Sequence, residues 1–128
     1  MPELITLPAG LTLYHGTGAE FDPEDLALPA WFAPQESVAR YFARRGWSGP
    51  GRVLRVTLDT DTDVVLIRSA RDMAAFAERY GVHLDSAEDI LDSFPRDIHG
   101  WKIEGNYPDG DDILLMDSVP VTVRGVLD

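Results

Sequence analysis

The last third of the chain, "GWKIEGNYPDGDDILLMDSVPVTVRGVL", is the stretch that most limits the fold. It reads as β-strands joined by tight turns, with "YPDGD" a strong turn signal and no helix between the strands. Upstream the order differs. "LTLYHGT" is a strand of β-branched and aromatic residues stopped by glycine, and "GAEFDPEDLALPA" is a loop broken by Pro23 and Pro29. "PQESVARYFARRG" has Val38, Ala39, Phe42 and Tyr41 at helical spacing, with Gly46 as its stop. "GRVLRVTLD" alternates as a strand does, and "DVVLI" is a second apolar strand. Ser69 is placed to cap a helix over "ARDMAAFAERYG", and "SAEDILDSF" suggests another short one. A strand, a helix, several strands interleaved with short helices and then a run of strands is an α+β pattern, not a regular βαβ alternation.

The chain has 128 residues, enough for one domain (1–128) with a real core and too few for two. No apolar run reaches the length of a membrane span, and "MPELITLPAG" lacks the basic region of a signal peptide. The expected location is the cytoplasm, or outside the producing cell as a secreted or injected effector without a signal peptide. Cysteine is absent, which removes disulfides, thiolate catalysis and Cys-based metal sites. A net charge of −11 disfavours nucleic-acid phosphates as partners. The basic residues are nevertheless clustered: Arg40, Arg44, Arg45, Arg52 and Arg55 fall close together, while "DTDTD" and "DGDD" are acidic knots.

Several motifs fail on their chemistry. Gly-Thr-Gly after His15 is not followed by Gly-Lys-Ser/Thr, so it is no P-loop. "HGTG" lacks the Gly-x-Ser-x-Gly partner of an esterase, since "GWSGP" breaks at Pro50. "DTDTD" lacks the central glycine and closing glutamate of a calcium loop. His15, His83 and His99 have no metal-ligand spacing, and the latter two read as surface or loop residues.

Three segments remain: "LYHGT" (13–17), "WFAPQESVARY" (31–41) and "DDILLMD" (111–117). Their order and local structure resemble the ADP-ribosyltransferase superfamily, in the branch that includes diphtheria toxin and the poly(ADP-ribose) polymerases. The resemblance implies a split β-sandwich of two small antiparallel sheets with short flanking helices, binding NAD⁺ in the cleft between them. It implies that Gly16 pairs through its backbone with the nicotinamide carboxamide and that His15 hydrogen-bonds a ribose, with Tyr14 and Thr17 beside them. A glycine lets a planar amide approach the backbone, and a neutral imidazole offers one donor and one acceptor.

Trp31 and Tyr41 then stand where the family stacks nicotinamide between two aromatic rings, with Phe32 adjoining and Ser37 on the carboxamide. Trp31 replaces a tyrosine of the family pattern. In "DILLMD", Asp112 occupies the family's catalytic glutamate position, with Asp111 and Glu104 as rival carboxylates. A carboxylate there stabilises the oxocarbenium-like ribose as nicotinamide leaves. One or two of the arginines are placed to meet the pyrophosphate.

The expected activity is therefore mono-ADP-ribosyl transfer, with NAD⁺ as substrate and no metal, by a toxin-like monomer. The acceptor is a protein or small molecule rather than a nucleic acid. The alternatives are an NAD⁺ glycohydrolase and a catalytically silent NAD⁺- or ADP-ribose-binding module of the same fold.

Overall fold

The computed structural model describes residues 3–17, 26–44, 51–107 and 110–127. Along the chain run β1 (Leu4–Leu7), β2 (Thr12–Thr17), β3 (Ala30–Phe32), α1 (Glu36–Arg44), β4 (Arg52–Leu58) and β5 (Thr62–Ile67). They are followed by α2 (Ala70–Tyr80), α3 (Ala87–Ser93), β6 (Gly100–Tyr107), β7 (Gly110–Leu115) and β8 (Val121–Leu127). This is an α+β architecture of two sheets, one in the order β1-β5-β6-β7-β3 and one in the order β2-β4-β8.

The expectation that both sheets are antiparallel is corrected in the larger one, where β5 and β6 run parallel, with Val65 beside Trp101 and Ile67 beside Ile103. Residues 68–99, which hold α2 and α3, supply the crossover that a parallel pair requires. Both helices start as the sequence indicates. The Ser69 hydroxyl accepts from the Asp72 N–H at the start of α2, and the Ser86 hydroxyl accepts from the Asp89 N–H at the start of α3. Gly81 ends α2 in the left-handed conformation. The Gly46 stop read for α1, the loop at 18–25 and Pro108–Asp109 of the "YPDGD" turn lie outside the described residues.

Two strands were not anticipated. β1 has four residues and β3 just three, too few for a periodic pattern.

The cores follow the period-two alternation of strand side chains. Between the sheets lie Leu7, Leu13, Phe32, Leu54, Val56, Leu58, Val64, Ile113 and Leu115. The opposite face of the larger sheet carries Trp101, Ile103, Leu114 and Met116, packed with Phe76, Phe94 and Val82 from the α2–α3 crossover. Helix α1 covers the outer face of the small sheet, where Ala39 and Ala43 meet Val53 and Tyr14. Among the described residues no helix is long and apolar enough to cross a membrane.

Candidate functional site

The two sheets join at one backbone pair. Tyr14 N–H donates to Ala33 C=O and Ala33 N–H donates to Tyr14 C=O, both at 2.8 Å. Tyr14 belongs to β2 of the small sheet, and Ala33 directly follows β3 of the large one. This bridge brings the first two sequence segments together.

Along β2, backbone groups alternate between the two edges of the strand. Since Tyr14 faces Ala33, Gly16, two residues on, directs its N–H and C=O to the same side, away from β4. The β2–β4 register from Thr12 to Thr17 has no shift that would break this alternation. Glycine is required here for a further reason. A Cβ at Gly16 would lie 2.0 Å from Ala39 O and 2.8 Å from Ala43 N, inside the backbone of α1.

His15 points the other way, to the rim of the inter-sheet core, with its ring centroid 5.4 Å from that of Phe32. Its Nδ1 lies 2.6 Å from the carbonyl oxygen of Trp31. A carbonyl only accepts, so Nδ1 carries the proton and Nε2 is the acceptor nitrogen of the neutral ring. Burial lowers the His15 pKa below its ordinary value of 6.5, against a smaller raising effect of the Trp31 hydrogen bond. The ring is thus held neutral in one tautomer. Thr17, at the end of β2, is buried.

Trp31 contributes to this site through its carbonyl. Its ring packs with the α2–α3 cluster, 6.4 Å from the ring of Trp101. The Trp31 Nε1 is buried without a hydrogen-bond partner among the described residues. Tyr41 is 53% exposed on α1, and Ser37, also exposed, lies one turn earlier on the same helix face.

The third segment lies across β3. Phe32 is opposite Ile113 and Trp31 opposite Leu114, so the register carried one step further sets Ala33 beside Asp112. Tyr14, Ala33 and Asp112 therefore form one row across three strands. With strands about 4.8 Å apart, the Tyr14 and Asp112 backbones are separated by about 10 Å. Asp112 is only 4% exposed, on the same sheet face as Leu114.

The rival carboxylates are placed differently. Asp111 uses Oδ1 to accept the Gly105 N–H at 2.8 Å, and its Oδ2 lies 3.6 Å from Lys102 Nζ. Those contacts hold the β6–β7 pair together. Glu104 is exposed. Asp117, which closes the "DILLMD" pattern, is exposed and lies 3.5 Å from Arg96.

Among the arginines, Arg40 lies 2.7 Å from Glu36 within its own helix. Arg55 is exposed opposite Tyr14. Arg52 is exposed opposite Thr17, on the sheet face that carries His15. Arg45 and the Arg44 side chain lie outside the described residues. His83 and His99 are both exposed, and His99 Nδ1 lies 3.0 Å from Ser118 Oγ. Among the described residues no group of three His, Cys, Asp or Glu side chains could hold a metal ion.

One contributor was missed from sequence. Gln35 Oε1 accepts the Asp111 N–H at 3.1 Å, linking the start of α1 to the start of β7. A glutamine just before a helix carries no signal that would have marked it. Comparison of the sequence with protein-family models and with curated proteins finds no match.

Proposed function

We propose that the chain is an NAD⁺-dependent mono-ADP-ribosyltransferase of the ADP-ribosyltransferase superfamily, with its site where the two sheets part. The observation that carries this reading is the Tyr14–Ala33 bridge. It sets His15 and Gly16 beside the Asp112 row, three segments that are far apart in sequence.

On this reading the nicotinamide carboxamide pairs with the outward N–H and C=O of Gly16, which needs both a donor and an acceptor on one edge. The pyridinium stacks on the exposed ring of Tyr41, and Ser37 reaches the carboxamide from the same helix face. His15 accepts a ribose hydroxyl proton on Nε2, a role that its tautomer supports. Asp112 is assigned to the nicotinamide ribose from the sheet face opposite the His15 ring, the face that also carries Tyr14, and a buried carboxylate there stabilises positive charge more strongly than a solvated one.

In the reaction the C1″–N1 bond breaks, and its electron pair returns to the ring to give neutral nicotinamide. An acceptor lone pair forms the new bond to C1″, and the acceptor loses its proton. The acceptor is a protein side chain or a small molecule.

The test uses NAD⁺ labelled in the nicotinamide. The wild type should release the label and leave an ADP-ribose adduct on an acceptor in a cell lysate. Asp112→Asn should bind NAD⁺ and release nothing. Release yielding only free ADP-ribose identifies a glycohydrolase, binding without release identifies a silent module, and no binding overturns the assignment.

A further inference from the structure

We infer that Gln35 is a positioning residue for Asp112, fixing the entry of β7 against the N-terminus of α1. The inference rests on the reading of Asp112 as the carboxylate that meets the reacting ribose.

The local sequence explains why such a clamp is needed. The β3–β7 register, extended from Phe32–Ile113, puts Pro34 opposite Asp111. The main chain turns at this point toward α1, which begins at Glu36. Without a substitute, the Asp111 N–H would lose its partner on that edge just before Asp112. Gln35 Oε1 takes the place of a backbone carbonyl and accepts that N–H at 3.1 Å.

Gly110 makes the same contact possible from the other side. A Cβ there would lie 2.2 Å from Gln35 Oε1 and 2.5 Å from its Cδ, so only a glycine leaves the amide room in this position. The Asp111 side chain is anchored independently by Gly105 N–H and Lys102. The residue before Asp112 is thus held from β6 through its side chain and from the α1 corner through its backbone. The α1 corner is also the start of the helix that carries Ser37 and Tyr41. Gln35 therefore sets the distance between the helix that stacks the nicotinamide and the strand that faces its ribose.

Two variants test this in the whole chain. Gln35→Met keeps the volume and removes the acceptor. Gly110→Ala leaves Gln35 intact and pushes its amide away. Both should lower kcat for nicotinamide release about tenfold or more, because catalysis is sensitive to displacements of about 1 Å. The melting temperature should stay close to wild type, the Kd for NAD⁺ should change by a smaller factor than kcat, and the Asp111 amide should exchange faster with deuterium. An unchanged kcat in both variants overturns the inference. So does a fall in kcat matched by an equal loss of thermal stability, which would mean a general weakening of the fold. If the wild type releases no nicotinamide, faster exchange at Asp111 in Gln35→Met preserves the anchor and overturns only its catalytic purpose.

Discussion

Gly16 lies so close beneath Ala39 that a Cβ added to it would stand 2.0 Å from the Ala39 carbonyl oxygen. The obstacle is helix backbone, so no rotamer change relieves it, and α1 must move off β2. Gly16→Ala should therefore cost about 3 kcal/mol, the upper end of ordinary overpacking. Gly125→Ala is the control, because a Cβ there meets nothing within 4 Å among the described residues. Urea denaturation of the two variants measures the contrast, and equal midpoints would contradict the close approach.

Tyr41 is half exposed and its removal opens no core cavity. Tyr41→Ala should leave the melting temperature nearly unchanged. Loss of stacking on a cationic ring, worth roughly 0.5–2 kcal/mol, should weaken NAD⁺ binding about two- to thirtyfold. Tyr41→Phe should bind nearly as well as wild type, since the π-face is kept. Calorimetric titration with NAD⁺ distinguishes the three proteins.

The arginines should not behave alike. Arg52 shares a sheet face with His15, and Arg40 lies on α1 beside Glu36. Arg52→Ala should raise the Kd for NAD⁺ about tenfold, the scale of one charge-assisted contact to phosphate. Arg40→Ala should change it less than about twofold, because the Arg40 guanidinium is engaged by Glu36 on its own helix. Repeating the titration in high salt should narrow the gap between wild type and Arg52→Ala.

His15 gives the fold a pH dependence of defined sign. Its folded-state pKa lies below the ordinary 6.5, chiefly through burial. As pH falls below 6.5 the unfolded chain takes up the proton more readily than the folded one. The stability contributed by neutral His15 is therefore complete above 6.5 and is lost as pH falls through the lowered folded value. Denaturation midpoints between pH 7.5 and 5 should drop less steeply in His15→Gln than in wild type. Parallel slopes would mean that the ring is not held neutral.

How far the sequence foretold these features depended on whether the signal was local. Helix α2 was readable because Ser69 marks its start with chemistry that a helix terminus needs and Met73, Phe76, Ala77 and Tyr80 recur at helical spacing. β2 and β4 were readable from β-branched residues and alternation. β3 was not, because three residues carry no period and its strand character comes from pairing with β7, far along the chain. The parallel β5–β6 pairing was equally invisible, since strand residues do not record the direction of a neighbour.

Within the candidate site, His15, Gly16 and Asp112 stood out through residue type and order. The use made of Trp31 did not. Its ring suggested a stacking surface, but the structure turns the indole into the α2–α3 cluster and aims its carbonyl at His15. Gln35 escaped notice for a related reason, as its contact at Asp111 depends on where β3 ends.

The order β2-β4-β8 also governs how the chain acquires its shape. The small sheet needs strands that begin at Thr12, Arg52 and Val121, so it closes only through pairings between remote parts of the chain. Such pairings are slow, because large loops must close before any contact rewards them. On a ribosome, β2 and β4 would emerge long before β8, leaving one edge of β4 exposed until Val121–Leu127 arrives. The seven residues of β8 therefore act as a latch, closing the second edge of β4 among the last events of folding.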